Sequence, residues 1–212
     1  MSPTRPLLRR DERRAQLLRS AAIAFAHQGY AATSVDDVAK AAGITKLIVY
    51  RHFESKDHLY RCVLEEVSAR LAEVWTEERA HESRYGAPTR TLLQVGREHP
   101  DGFRLLFVHA ARETDFASFA EDFRTLQVAL ADELIGAMIA DEALRRWATA
   151  TAIDHLVTAV LRWLEIGDPD DDEQWIPVAT AGLVASINAW ADPGPVLAAL
   201  GAEQASADGS AA

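Results

Sequence analysis

The stretch that most limits what this chain can become is Ser34 to Lys56, SVDDVAKAAGITKLIVYRHFESK. Ser34 with Asp37 three residues on is a capping box, which starts a helix by satisfying N–H groups that have no partner within it. Val35, Val38, Ala39 and Ala42 then recur at helical spacing and form one apolar stripe. Gly43 ends that helix, because a residue without Cβ enters the left-handed region at little steric cost. Ile44 turns inward, and Thr45 stands where it can cap a second short helix running to about His52. The small Ala39 lets the two helices approach closely. This is the helix-turn-helix arrangement, whose second helix suits a DNA major groove.

On a period of 3.6 residues, Ile44, Ile48, Val49 and Phe53 fall toward the core side of the second helix. Lys46, Leu47 and Tyr50 share the opposite face, with Arg51 beside them. A cation, an apolar residue and a phenol on one protruding face match a groove floored by bases and walled by phosphates. The competing reading is a solvated helix in an ordinary bundle, but such a short helix has little reason to expose Leu47 and Tyr50 together.

Residues from about Arg10 to Leu64 resemble the DNA-binding domain of the TetR (tetracycline-repressor-like) family of transcriptional regulators. The likeness rests on Ala21, Phe25, Gly29 and Tyr30 in the first helix and its exit, and on Thr33, Ser34, Val35, Val38, Ala39, Ala42 and Gly43 across the second. Thr45, Tyr50, His52, Phe53, Ser55, Lys56 and Leu59 extend it. The resemblance implies that Lys46 and Leu47 lie nearest the bases, and that Tyr50, His52 and Lys56 touch phosphates. Physically, Lys46 suits guanine N7 and O6, and Leu47 suits a thymine methyl. Thr45 reaches either a base or a phosphate, and Thr33 and Ser34 start a helix whose N–H groups and hydroxyls can hold a phosphate. The family often carries a small residue where Leu47 stands and a small polar one where Ile48 stands, so its usual base contacts do not transfer directly.

Charge supports a two-part molecule. Residues 1–62 hold 11 Lys/Arg against 6 Asp/Glu, a net +5, while residues 63–212 hold 11 against 26, a net −15. A cationic head on an acidic body is expected to present only the head to a duplex. Arg5, Arg9, Arg10, Arg13 and Arg14 form a basic cluster at the chain's start. It reads either as an arm for the backbone or minor groove, or as a solvated helix start. Cys62 is the only cysteine, which excludes an internal disulfide or a cysteine zinc site and favours a reducing cytoplasm. On a helical stripe, it reads as an inert core thiol. No apolar run approaches the roughly 20 residues of a membrane helix. The N-terminus lacks an apolar signal core, so neither secretion nor a membrane location is expected.

The rest of the chain reads as helices, making the expected fold all-α: a three-helix head with a C-terminal antiparallel bundle, about nine helices in all. The expected domains are 1–62 for DNA binding, 63–201 for ligand binding and dimerisation, and 202–212 as a disordered tail. A first helix spans about Arg10 to His27, and a fourth runs from Lys56 to near Glu82. Thr89 to about Glu98 is a short helix, and HPDG at 99–102 reads as a break. Five of the seven phenylalanines (Phe103, Phe107, Phe116, Phe119 and Phe123) then fall within 21 residues. They read as core filling or, with Trp75 and His155, as the lining of a pocket for a small apolar molecule. The resemblance to ligand-responsive regulators favours the pocket.

A long helix continues from Leu126 to Ala140, Asp141 caps the next, and Ala143 to Ile166 and Glu173 to Ala191 form two final long helices. Their broad apolar faces and small residues suit either packing within one subunit or a four-helix interface with a symmetry mate. The resemblance points to that homodimer. Asp168 to Glu173 lacks the spaced ligands and glycine of a cation loop and reads as a solvated connection, so neither metal nor cofactor is expected. No G-x-S-x-G elbow, P-loop, G-x-G-x-x-G or H-E-x-x-H is present, and no catalytic residue is assigned. The expected function is a regulator, most readily a repressor, that leaves its palindromic operator when it binds a small molecule. A ligand-independent regulator and an all-α enzyme are the alternatives.

Overall fold

Helix-stop residues and capping side chains divide the head where the sequence puts them at Ser34, Gly43 and Ser55. The computed structural model describes residues 10–81 and 84–195, and among these no residue is in a strand. Nine α-helices follow in order: α1 (Arg10–Gln28), α2 (Val35–Ala42), α3 (Lys46–Tyr50), α4 (Lys56–Ala80), α5 (Ala87–Glu98), α6 (Pro100–Arg104), α7 (Ala117–Ile135), α8 (Glu142–Ile166) and α9 (Asp172–Ala191). Arg5 and Arg9 of the basic cluster and the expected tail at 202–212 lie outside the described residues.

Two compact units share the chain, one drawn from Met1–Glu82 with Thr91–Phe123 and the other from Ser83–Arg90 with Arg124–Ala212. The division expected between residues 62 and 63 falls inside α4. That helix runs through it unbroken because its buried stripe, Leu59, Cys62, Val63, Val67, Leu71 and Val74, has no interruption.

In the first unit α1 buries Leu17, Leu18, Ala21 and Phe25, and α2 buries Val35, Val38, Ala39 and Ala42. Both halves of the capping box form: the Asp37 N–H donates to Ser34 Oγ, and the Ser34 N–H donates to Asp37 Oδ2 at 2.9 Å. Gly43 takes φ +66°, where an L side chain would be strained. The N–H groups of Gly43 and Ile44 then reach back to the carbonyls of Lys40 and Ala39, the paired bonds of a left-handed helix terminus. An aromatic cluster seals the base of this head. Tyr60 of α4 lies 5.0 Å from Phe25, 5.0 Å from Tyr30 and 4.4 Å from Phe116, measured between ring centroids.

The break expected at 99–102 is narrower than that. Proline lacks only an N–H that the first turn of a helix does not use, so Pro100 opens α6 directly after His99. Leu105–His109 then forms a π-helical turn, in which the Ala110 N–H reaches the Leu105 carbonyl, before a 3₁₀ turn at Ala110–Arg112. The helix expected at 126–140 instead begins at Ala117 and ends at Ile135, where Gly136–Met138 tightens into a 3₁₀ turn.

Between α4 and α5 the Arg70 guanidinium grips the Glu98 carboxylate with bonds of 2.7 and 3.1 Å. These bonds hold the Glu98 carboxyl down at about 2. A carboxyl whose folded-state pKa is depressed stabilises the fold above its unfolded value near 4.3 and loses that contribution as pH falls toward the folded value. Replacing Glu98 with Gln should therefore flatten the acid limb of the stability curve between about pH 4 and 2. Urea titrations at a series of pH values will read this, and an unchanged limb would remove the pair from the account.

In the second unit Asp141 caps α8 by accepting from the Leu144 N–H at 2.7 Å. Helix α8 buries Ala148, Ala152, Leu156 and Val160, and α9 buries Ile176, Thr180 and Ile187. Trp163 stacks on Trp175 at 5.1 Å and donates its indole N–H to Asp172 at 2.6 Å, which ties the end of α8 to the start of α9.

Candidate nucleic-acid interface

Helix α3 is only five residues long, and its neighbours determine which way it faces. Val49 is 1 % exposed and anchors it, Phe53 is buried just beyond it, and Ile44 and Ile48 are half-buried. That leaves Leu47 65 % exposed and Tyr50 45 % exposed, with the Lys46 ammonium 5.8 Å from the Tyr50 ring centroid. Arg51 is exposed at the helix end. An apolar side chain so open to water costs free energy unless a partner covers it.

Thr45 holds the N-cap position in extended backbone, but its hydroxyl accepts no helix N–H. The expected side-chain cap is absent, and the exposed Thr45 side chain stays at the surface. Ser34 is exposed, with its N–H and hydroxyl both turned to Asp37. Those bonds hold the Asp37 carboxyl below its usual range, so the start of α2 already carries an anion of its own. Thr33 moves out of the surface altogether. It is 1 % exposed, and its hydroxyl donates to the carbonyls of Gly29 at 2.7 Å and Ala24 at 3.2 Å. A hydroxyl committed in this way ties α1 to the turn before α2 and has nothing left for a phosphate.

His52 is half-buried against Phe53. Burial, then the nearby Arg10, Arg13 and Arg14, pushes its pKa down, so at neutral pH it offers an uncharged N–H rather than a cation. Lys56 is half-buried, with its ammonium 4.2 Å from the Tyr30 ring centroid and donating to the Tyr30 carbonyl at 2.8 Å. One of its three donors is thereby committed to holding the head. The Tyr30 hydroxyl closes the same corner by donating to Asp57.

Sequence reasoning missed two of the residues that position this face. Gln16 donates to the Ala42 carbonyl at 3.3 Å and pins α1 to the end of α2. Arg14 spreads over the Phe53 ring at 5.2 Å and donates to Cys62 Sγ at 3.3 Å. Both are polar residues on an amphipathic helix, and spacing alone does not distinguish them from solvated ones.

The residues expected to line a ligand pocket do not stay together. Phe103 and Phe107 pack at 4.5 Å, and Phe107 and Phe123 at 5.7 Å. Phe119 is half-buried on α7. Trp75 is half-buried, the Arg79 guanidinium covers its ring, and its indole N–H is buried without a hydrogen-bond partner among the described residues. Phe116 belongs instead to the Tyr30–Tyr60 cluster of the head. His155 is exposed on α8, in the second unit. Among the described residues no group of His, Cys, Asp or Glu could hold a metal ion, and no helix is long and apolar enough to cross a membrane.

A short helix set across a capped one, with an open apolar and phenolic face, defines a helix-turn-helix protein. Residues 17–63 match the model of the family described as bacterial regulatory proteins, tetR family. Over 58 residues the chain is 48 % identical to the HTH-type transcriptional activator FasR of Mycolicibacterium smegmatis, covering 27 % of this chain and 26 % of that one. Over 63 residues it is 44 % identical to the HTH-type transcriptional repressor KstR2 of the same organism, covering 30 % and 29 %. These matches span less than a third of either relative's length.

Over the whole fold, a TetR-like transcriptional regulator from Rhodococcus sp. RHA1 superposes with a TM-score of 0.69 at 18 % identity, covering 84 % of this chain and 99 % of that one. AibR, solved with isovaleryl coenzyme A and operator DNA, superposes at 0.60 with 20 % identity, covering 82 % and 97 %. Residues 17–63 thus carry a DNA-binding segment of the tetR type, and the fold of the chain as a whole is TetR-like.

Proposed function

We propose that the chain is a DNA-binding transcriptional regulator, a repressor that binds a palindromic operator as a homodimer and leaves it when a small apolar or amphipathic molecule binds. The observation that carries this reading is the open face of α3, where Lys46, Leu47 and Tyr50 stand together on a rigidly anchored helix. Lys46 is assigned to guanine O6 and N7, and Leu47 to a thymine methyl. Tyr50, Arg51, Thr45, His52, Lys56 and the start of α2 at Ser34 are assigned to the flanking backbone. The resemblance to FasR and KstR2 over this segment supports DNA binding, and KstR2 supports repression. A cytoplasmic location follows from access to DNA.

The homodimer rests on α8 and α9. Ile166 is 73 % exposed, Val178 69 % and Trp147 50 %, and a Cβ at Gly182 would meet nothing within 4 Å. An open apolar face with room for close approach suits an isologous four-helix contact. A charged Val178→Glu substitution should yield monomers that remain folded. A variant that sediments as a dimer moves the interface elsewhere.

The Phe103, Phe107 and Phe123 cluster is the proposed effector site, and Trp75, whose indole N–H has no hydrogen-bond partner among the described residues, is proposed to serve the same effector. AibR, crystallised with an acyl coenzyme A and its operator, provides an example on the same fold. Helix α4 would carry the response, since Lys56 lies in its first turn and Trp75 near its end. The effector must bind the state unfit for DNA more tightly than the fit one. Selection from random duplexes tests the whole reading. An inverted repeat with half-sites about 34–36 Å apart is expected, and the absence of any enriched sequence would refute it. If an operator is found and no small molecule weakens its binding, the ligand-independent alternative holds.

A further inference from the structure

A cleft of about 170 Å³ opens between α1, α4 and the start of α6, with no phenylalanine among its lining residues. Its floor is apolar, built from Leu18, Ala22 and Ile23 of α1 and Val63 and Val67 of α4. Gly102 closes the α6 side, where a Cβ would meet Val67 Cγ2 at 2.7 Å, so only glycine lets α6 come this near. Ile23 stands at the mouth, 48 % exposed. The space is close to the roughly 150 Å³ of an apolar cavity that takes up one benzene-sized molecule.

Polar groups at the wall give the cleft a sign. Glu66 lines it half-buried and makes no hydrogen bond or ion pair with any described residue. Burial pushes its carboxyl pKa up, against the weaker pull of His99, Arg14 and Arg19. Glu98 also lines the cleft but is already gripped by Arg70, whereas Asp101 is half-buried and adds a second uncommitted carboxylate. Arg19 is exposed and His99 half-buried. A carboxylate withdrawn from water without a partner is costly and gains most from an incoming cation.

We propose that this cleft is a binding site for a small cationic amphiphile, an ammonium on a short apolar or aryl stem, with the ammonium on Glu66 and the stem on the Ile23–Val67 floor. The site goes beyond the DNA-binding reading and does not depend on it. Because it joins two helices of the head to α6, its occupant would act on the head without entering the phenylalanine cluster.

Benzylamine is the probe, with benzyl alcohol and benzoate as neutral and anionic counterparts, titrated into the full chain without DNA and followed by methyl NMR. Benzylamine should shift the Ile23 and Val67 methyl resonances and bind more tightly than the alcohol, with benzoate weakest. Glu66→Gln should weaken benzylamine at least tenfold and leave benzyl alcohol unchanged. Ile23→Ser, at a position 48 % exposed, should weaken both. Benzylamine binding that is undetectable, unchanged in Glu66→Gln, or weaker than that of benzoate overturns the proposal.

Discussion

A Phe116→Ala chain is expected to be less stable than the parent by about 3–5 kcal/mol, the usual cost of emptying a fully buried aromatic site. Phe116 is 0 % exposed and meets Tyr60 at 4.4 Å and Tyr30 at 5.1 Å, with the Arg61 guanidinium 5.8 Å from its ring centroid. Removing it strips contacts from three side chains at once, and Tyr60, whose hydroxyl is buried without a partner among the described residues, is poorly placed to relax into the gap. Urea denaturation followed by far-ultraviolet circular dichroism reads the loss as a lower midpoint at constant slope. Phe119→Ala, at a half-buried position, should cost distinctly less. Equal costs at the two sites would mean that Phe116 is not the plug described above.

The second large effect is on recognition. Lys46→Ala combined with Tyr50→Ala should remove most of the discrimination between operator and unrelated duplex. The Lys46 base-edge contact is worth about 1–3 kcal/mol, the Tyr50 backbone contact holds Lys46 in register, and the proposed dimer loses both twice. The fold should survive, because both side chains are exposed and the helix is anchored by Val49 and Phe53 from the other side. Fluorescence anisotropy on the selected operator and a scrambled duplex measures the ratio directly. A double variant that keeps its ratio would place the recognition surface off α3.

The same residues show what could be read from the sequence and what could not. Ser34, Asp37 and Gly43 act through their own backbone neighbourhood, so their spacing carried the capping box, the helix end and the direction of α3. The apolar stripes of α1, α2 and α4 followed from period for the same reason. Periodicity reports which face is buried but not which partner it meets. Phe116 therefore looked interchangeable with Phe103 and Phe107, although its ring partners are Tyr30 and Tyr60 whereas Phe103 and Phe107 pair with each other. The carbonyl partners of Thr33 and Lys56, at Gly29 and Tyr30 respectively, could not be read from spacing, because they lie more than three residues away. The π-helical turn at Leu105–His109 has no local sequence mark, since ordinary helix formers occupy it.

In the proposed dimer a small cationic head, used twice, reads base pairs through Lys46 and Leu47, with Tyr50 on the flanking backbone. Competition anisotropy at moderate salt tests it most directly: the full chain on its selected palindrome is challenged with unlabelled bulk genomic fragments. A preference for the palindrome of at least about a thousandfold is expected, the lower end for specific binders. Equal competition by the bulk fragments would contradict it.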